Sequence, residues 1–365
     1  AGQAIDLKYV EESSRVIAKY ANGHTIVVEK STLPVKTAET IKKILLSNKK
    51  DSENNFYVLS NPEFLAEGTA INNLENPDRV LIGGDNENAI NALKSIYLNW
   101  VPPTKILTTD LWSSELSKLI SNAFLAQRIS SINSVSAICE ATGADVNKVS
   151  LAVGTDKRIG KYFLNSGPGF GGSCFKKDIL NLVYICNFYG LKEVSAYWQK
   201  VIEINNWQQN RISKLIVDKL FGTLSGKKIA ILGFAFKGNT NDTRESPAIK
   251  ICKELLEEGV NLKIYDPKVN KKQIESDLDQ IENKNISISA VEGSWSFCSS
   301  IIESSKDSDA ILILTEWDEF RDIRWQPIAD SMRKPAWVFD TRCITNLDEA
   351  KRCGMNIWRI GINYE

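Results

Sequence analysis

Histidine is almost absent: the 365-residue chain has one, His24. A Cys/His or Ser/His/Asp catalytic set would have to run through it. It sits in ANGHTIVVEK, at the mouth of an apparent strand, and we read it as structural. Paired cysteines are absent as well. The seven cysteines are scattered singly, with no CxxC and no Cys/His cluster. That pattern argues against a zinc site or a disulfide framework and for reduced thiols in the cytosol, so a cytoplasmic protein is expected. Excess charge is lacking: 45 basic residues balance 45 acidic ones. No broad surface for nucleic acid or an anionic membrane follows from such a balance. No apolar run approaches the roughly 20 residues of a membrane helix, and no signal-peptide pattern is present. The chain also lacks an initial Met and opens directly in a helical pattern, AGQAIDLKYVEESSRVIAKYA, which reads as the middle of something.

What is present has the size of two or three domains. Helical spacing over 5–20 precedes a short β-branched strand at 24–30 and a helix ending near 47. FYVLS (56–60) and RVLIGG (79–84) are further strands, and a helix follows over 87–98. Such alternation predicts a parallel sheet. From Trp112 to about Thr142 there is neither Pro nor Gly, so one long helix is expected, followed by helices over 145–153, from the glycine-rich stretch to 189, and over 193–220. Alternation resumes at 227 with KKIAILGFAF, a helix over 246–259, and strands at 261–267, 309–317 and 336–341. The Asn/Lys/Glu-rich stretch 268–285 reads as exposed helix and loop, and the sequon-like Asn285-Ile-Ser as chance. The expected class is α/β: two Rossmann-like parallel-sheet domains, the first incomplete, joined by a long-helix-centred helical domain. The boundaries fall at 1–110, 111–222 and 223–365.

Four segments have the residue types that chemistry needs. GPGFGGSCFKKDI (167–179) places a thiol after flexible glycines and before two lysines. A helix starting near Cys174 would aim free N–H groups at the site, and such a terminus with adjacent lysines favours a thiolate. Asp178, four residues on, shares the helical face. Against this stands a loop that merely caps a helix, with a buried cysteine. Lys118 and Asn122 are also four apart, on one face of the long helix, and the plain alternative is a solvated face. Glu63 and Glu67 in SNPEFLAEGTA follow a strand end, where parallel sheets take ligands, although loop acids are common. LGFAFKGNTNDTRESPA (232–248) resembles a phosphate loop but is no Walker A, because Asn-Thr follows the second glycine.

Together these segments resemble the UDP-glucose 6-dehydrogenase family of animal and plant type. The resemblance rests on EKST (29–32), SNPEFLAEGTAI (60–71), NPDRVLIGG (76–84), WSSELSKL (112–119), NAFLAQRISSINS (122–134), CEATGADV (139–146), GFGGSCFKKD (169–178), KKIAILGFAFK (227–237), NDTRES (241–246) and YDPKV (265–269). It covers essentially the whole chain, in order. It implies NAD-dependent four-electron oxidation of UDP-glucose to UDP-glucuronate. Cys174 would be the nucleophile, passing through a thiohemiacetal and a thioester. Lys118 would support alcohol deprotonation and hold the oxyanion, Asp178 and Thr32 would position water, and Glu63 would be an acid/base. Four-electron oxidation in one site needs a covalent hold between two hydride transfers, which a thiolate provides.

For the substrate the resemblance implies Glu63, Phe64, Leu65, Glu67, Lys118, Asn122, Phe163, Leu164 and the 165–171 loop with Phe170 and Gly171. Lys237 and Arg342 would come from the last domain, and Arg158 would reach a neighbouring subunit. Ser31, Glu67, Lys177 and Arg244 would touch NAD. The long helix would build a homodimer that assembles further, to hexamers. Asn165 and Cys343 depart from the family pattern, standing where some relatives have lysine and a second arginine. The family's opening strand, glycine turn and acidic strand end do not precede the first strand here. The chain is therefore expected to be part of a dehydrogenase, with weakened NAD affinity. The competing expectations are an inert remnant that binds UDP-sugar or pairs with full-length subunits, a dehydrogenase of another nucleotide sugar, and a cysteine hydrolase.

Overall fold

The computed structural model describes residues 7–49, 53–279 and 293–364. The chain divides into two compact units, Ala1–Phe124 with Lys177–Trp198, and Leu125–Lys176 with Gln199–Glu365.

The first unit begins with α1 (Lys8–Tyr20), β1 (His24–Glu29), α2 (Thr37–Ser47), β2 (Asn55–Ser60), α3 (Ala70–Glu75), β3 (Val80–Gly83), α4 (Glu87–Tyr97) and β4 (Ile106–Thr109). Its sheet has the order β1-β2-β3-β4. β1 and β2 run parallel, in register from His24↔Asn55 to Glu29↔Ser60, and β3 and β4 are also parallel. The junction between the pairs differs from the expected parallel sheet: β3 runs against β2, meeting it at Ser60↔Gly83. A parallel return needs a crossover element packed on the sheet. The only helix between these strands is the six-residue α3, which buries none of its side chains. Two apolar clusters hold the unit. Ala18, Ala38, Ile41 and Leu45 pack with Phe56, Val58 and Leu111, while Leu59, Val80 and Ile82 pack with Ala89, Tyr97, Val101 and Ile106.

The sequence next enters α5 (Leu111–Thr142), a 32-residue helix about 48 Å long. α6 (Val146–Thr155), α7 (Phe175–Phe188) and α8 (Lys192–Lys219) follow. The second sheet is built from β5 (Lys228–Leu232), α9 (Pro247–Glu257), β6 (Asn261–Tyr265), α10 (Lys271–Leu278), β7 (Ser294–Phe297), α11 (Ile301–Ser305), β8 (Ala310–Ile313), α12 (Trp325–Ser331), β9 (Trp337–Asp340), α13 (Leu347–Arg352) and β10 (Asn356–Arg359). Its order is β10-β9-β8-β5-β6-β7, and every pair is parallel. This is the doubly wound arrangement, in which the order reverses beside β5. β5 and β8 are almost wholly buried, as strands covered on both faces must be.

Helix starts follow from local chemistry. Asn86, Asp145, Ser246, Asn270, Ser300 and Asn346 each accept a backbone N–H of the helix they precede. Of the stretch expected as exposed helix and loop, 271–278 is helical and buries Ile274 and Leu278. The remainder from 280, with Asn285-Ile-Ser, lies outside the described residues.

Candidate active site

In the first unit, five of the expected residues come together. Lys118 and Asn122 project from successive turns of α5 and are 5% and 7% exposed, so this is not a solvated face. Lys118 Nζ lies 3.2 Å from Glu63 Oε1 and 5.3 Å from the centre of the Phe64 ring. Asn122 Nδ2 donates to Asp178 Oδ2 at 2.6 Å. Asp178, in the first turn of α7, is fully buried, and its Oδ1 has no hydrogen-bond partner among the described residues. Burial pushes the Asp178 carboxyl above its ordinary range, opposed by the Asn122 hydrogen bond and the charges of Lys177 and Lys118, with Glu63 adding a small push upward.

The loop bearing Glu63 and Phe64 is anchored from behind. Asn61 accepts from Lys30 Nζ (3.0 Å) and Tyr97 OH (2.6 Å) and donates to Leu81 O (2.8 Å). Within the loop, the Leu65 N–H donates to Glu63 Oε2 at 2.7 Å. The Arg79 guanidinium lies 3.7 Å over the Phe64 ring and donates to Ser121 Oγ. Ser31 and Thr32 stand in the loop after β1, exposed and half-buried; Glu67 is half-buried and Lys177 exposed.

In the second unit a glycine-rich loop is held by amides. Gly167 N donates to Asn133 Oδ1, and Gln208 Nε2 donates to Gly167 O. Asn205 exchanges two hydrogen bonds with the backbone of Phe170, at 2.8 and 3.1 Å. Gly169 has φ 132°, where a Cβ would lie 2.7 Å from Asn205 Oδ1. At Gly171 a Cβ would lie 2.5 Å from the Glu245 carbonyl oxygen, so no side chain fits. Residues 167–172 have the G-x-G-x-x-G spacing, but no strand leads into them, so the dinucleotide context is missing.

Cys174 follows this loop directly, one residue before α7, and it is the exposed member of the seven free cysteines. Its Sγ lies 3.5 Å from Ser173 Oγ. Lys176, two residues past the thiol, pairs with Glu245 at 2.8 Å. Phe175 packs edge-on against Phe170 and Phe163, and Leu164 is buried. Arg342 is fixed by Leu314 O, Phe236 O and Glu316, and its guanidinium lies 3.4 Å from where a Cβ of Gly167 would be. Lys237 stands in the loop after β5, its amine 5.6 Å from the Phe236 ring centre. Arg244 and Arg158 are exposed and pair with Asp242 and Asp156, and the Arg244 carbonyl accepts from Gly172 N at 2.8 Å.

The sequence reading did not single out Asn205, Gln208 and Asn133, which hold the loop, or Arg79, which holds Phe64. Their signal was weak: polar residues in long helices look solvated, yet Asn205, Gln208 and Asn133 are at most 5% exposed. Among the described residues no His/Cys/Asp/Glu group could hold a metal ion, and no helix is long and apolar enough to cross a membrane.

Three domain models of the UDP-glucose/GDP-mannose dehydrogenase family match the chain: the NAD binding domain over 1–101, the central domain over 112–207 and the UDP binding domain over 230–347. UDP-glucose 6-dehydrogenase 2 of Arabidopsis thaliana is 54% identical over 378 residues, covering 99% of this chain and 77% of that protein. UDP-glucose 6-dehydrogenase of Drosophila melanogaster is 54% identical over 370 residues, covering 100% and 77%. Among solved structures, a UDP-glucose dehydrogenase from the archaeon Pyrobaculum islandicum superposes with a TM-score of 0.85 at 29% identity, covering 99% of this chain and 77% of that one. A UDP-D-ManNAc dehydrogenase from Pyrococcus horikoshii gives 0.81 at 26% identity, covering 99% and 78%.

Proposed function

Because the chain belongs to the UDP-glucose/GDP-mannose dehydrogenase family of NAD-linked oxidoreductases, we propose that its reaction is the four-electron oxidation of UDP-glucose to UDP-glucuronate, with Cys174 as the covalent hold. The observation that carries this reading is the pairing of buried Lys118 with half-buried Glu63, next to the buried Asn122–Asp178 hydrogen bond. A desolvated cation beside two carboxyls suits a reaction that creates and collapses alkoxides.

Lys118 favours the O6 alkoxide as the alcohol loses its proton and later holds the oxyanion of each tetrahedral species. The Cys174 thiolate adds to the C6 aldehyde carbon: a C–S bond forms, the carbonyl electron pair moves to oxygen, and that oxygen takes up a proton. The resulting thiohemiacetal is oxidised to a thioester. Thr32 and Asp178 orient a water on the thioester carbonyl, and Asp178 takes a proton as the C–O bond forms. The C–S bond then breaks, releasing carboxylate and thiolate. A carboxyl with a raised pKa suits this base role near neutral pH. Glu63 shuttles protons at the thiohemiacetal.

Ser31 is exposed just past the carboxyl end of the parallel β1–β2 pair, where open α/β sheets take ligands. With Glu67, Lys177 and Arg244 it supplies hydroxyl, carboxylate and cations, a donor set that fits a dinucleotide. When bound, NAD accepts the hydride released in each oxidation. Lys237 and Arg342 meet the nucleotide diphosphate, while Phe163, Leu164, Phe170 and Gly171 line the sugar. Phe64, Leu65 and Asn122 complete the sugar's surroundings. Arg158 reaches a neighbouring subunit across a homodimer built on α5, which leaves Trp112, Phe124 and Ile138 exposed; such dimers assemble to hexamers.

The test is NADH formation from UDP-glucose, with mass spectrometry of quenched enzyme for a thioester on Cys174. UDP-glucose binding without NADH would favour the inert sugar-nucleotide binder. Faster turnover of an N-acetylated sugar nucleotide would reassign the substrate.

A further inference from the structure

Two further carboxyls meet in the first unit, one helical turn from Lys118. Glu29 ends β1 and is 8% exposed; Glu115, on α5 one turn before Lys118, is 3% exposed. Glu115 accepts from two backbone amides at the start of α2, Lys36 N at Oε2 and Ala38 N at Oε1, both at 2.7 Å. Its two oxygens are thus engaged as a carboxylate. Glu29 lies in hydrogen-bond contact with Glu115, while its Oε2 has no partner among the described residues. Two buried carboxyls in contact cannot both ionise cheaply, so the contact needs a proton between them.

The charged side chains of the surrounding elements are engaged elsewhere. Lys30, next along from β1, binds Asn61 and Tyr97. On α2, Lys36 has its amine over the Trp112 and Tyr189 rings, Glu39 pairs with Lys43, and Lys42 pairs with Asp85. On α5, Lys118 pairs with Glu63, and Asp110 binds Ser113 N. From β2, the residue in register with Glu29 is the neutral Ser60. No cation from these elements replaces the shared proton.

The residues between the two ends of this clasp are 30–35, and they include Ser31 and Thr32. We infer that Glu29 and Glu115 share one proton as a clasp that closes both ends of the Ser31–Thr32 loop, which makes them positioning residues for Thr32. Neither touches the reacting atoms. The link to Thr32 rests on the proposed reaction, whereas the clasp itself does not.

The sign of the pH dependence is fixed by the direction of the shift. Burial first, then the Glu115 charge and hydrogen bond, raise Glu29 from 4.5 to about 8. A raised carboxyl stabilises the closed loop fully below its ordinary value, and that contribution is lost as pH rises toward the raised value. Loop closure should therefore weaken by about tenfold per pH unit across this window and level off above it.

Hydrogen–deuterium exchange of the 31–38 amides in the full chain, corrected for the chemical exchange rate, reads this without any substrate. In the wild type, protection should fall between about pH 4.5 and about pH 8 and then level off. Glu29→Gln keeps a neutral donor toward Glu115, and the slope should vanish. Glu115→Ala removes both amide acceptors, and the Lys36 and Ala38 amides should exchange fast at every pH. Wild-type protection that is flat across the window, or a Glu29→Gln slope equal to the wild-type slope, overturns the clasp. If the exchange result holds but Glu29→Gln leaves the pH profile of UDP-glucose oxidation unchanged, the link to Thr32 fails and the proposed reaction stands.

Discussion

The two units solve opposite problems. The first buries charge: Lys118 is buried against a half-buried Glu63, and Asp178 is buried against Asn122. The second orders backbone: Asn133, Asn205 and Gln208 commit buried amides to shaping the buried 167–172 loop, and Cys174 just beyond it is exposed. Buried charge suits bond making, because low dielectric strengthens each interaction. A backbone cradle suits recognition, because its shape is fixed before a ligand arrives. Chemistry and binding are therefore separately breakable here.

Cys174→Ser gives the largest effect. Net oxidation should fall below detection while UDP-glucose affinity, read by calorimetry, stays nearly unchanged; unchanged turnover would end the thiolate role. Lys118→Ala should cost about 10²–10³ in kcat, as loss of an oxyanion donor does elsewhere. A change confined to KM would move Lys118 to the binding side of the comparison. Asp178→Asn should flatten the acid limb of the kcat profile. With Asp178 raised, that limb lies above the ordinary carboxyl range and activity climbs with pH through it; a limb that survives the substitution belongs to another group. Lys237→Ala should weaken UDP-glucose binding by about tenfold, the weight of one charged hydrogen bond, with kcat nearly kept. Asn205→Ala removes two hydrogen bonds to Phe170 and should cost about 1–3 kcal/mol in denaturant unfolding, with weaker sugar-nucleotide binding. Loss of kcat alone would contradict a role in shaping the cradle.

Much of this was legible in the sequence. Strands at 24–29, 55–60, 228–232 and 310–313 announce themselves by β-branched or continuous apolar runs. The strands not anticipated, β4, β7 and β10, all lie at sheet edges, where one side needs no partner and SWSF or NIWR can stay mixed. The antiparallel junction at Ser60↔Gly83 was hidden because periodicity reports elements and not their direction. Lys118, Asn122 and Asp178 were legible from helical spacing and motif. Lys176 pairs with Glu245, 69 residues away, and local spacing says nothing of such a neighbour. Asn205 and Gln208 were missed because NNWQQN in a helix has the same composition whether it faces water or a loop.

Asp266 stands just past the end of β6, beside the point where the second sheet reverses its order. Dinucleotide sheets use an acid at such a strand end to grip ribose. Here Oδ1 accepts from Lys268 N and Val269 N, and Oδ2 from Phe234 N, Ala235 N and Trp317 Nε1. All its acceptor capacity is saturated from within. A molecule with two sheets of related architecture runs the risk of loading its two nucleotide ligands in swapped places. By closing that carboxylate on its own backbone, the second sheet forgoes the ribose grip that would make it a rival berth for the dinucleotide.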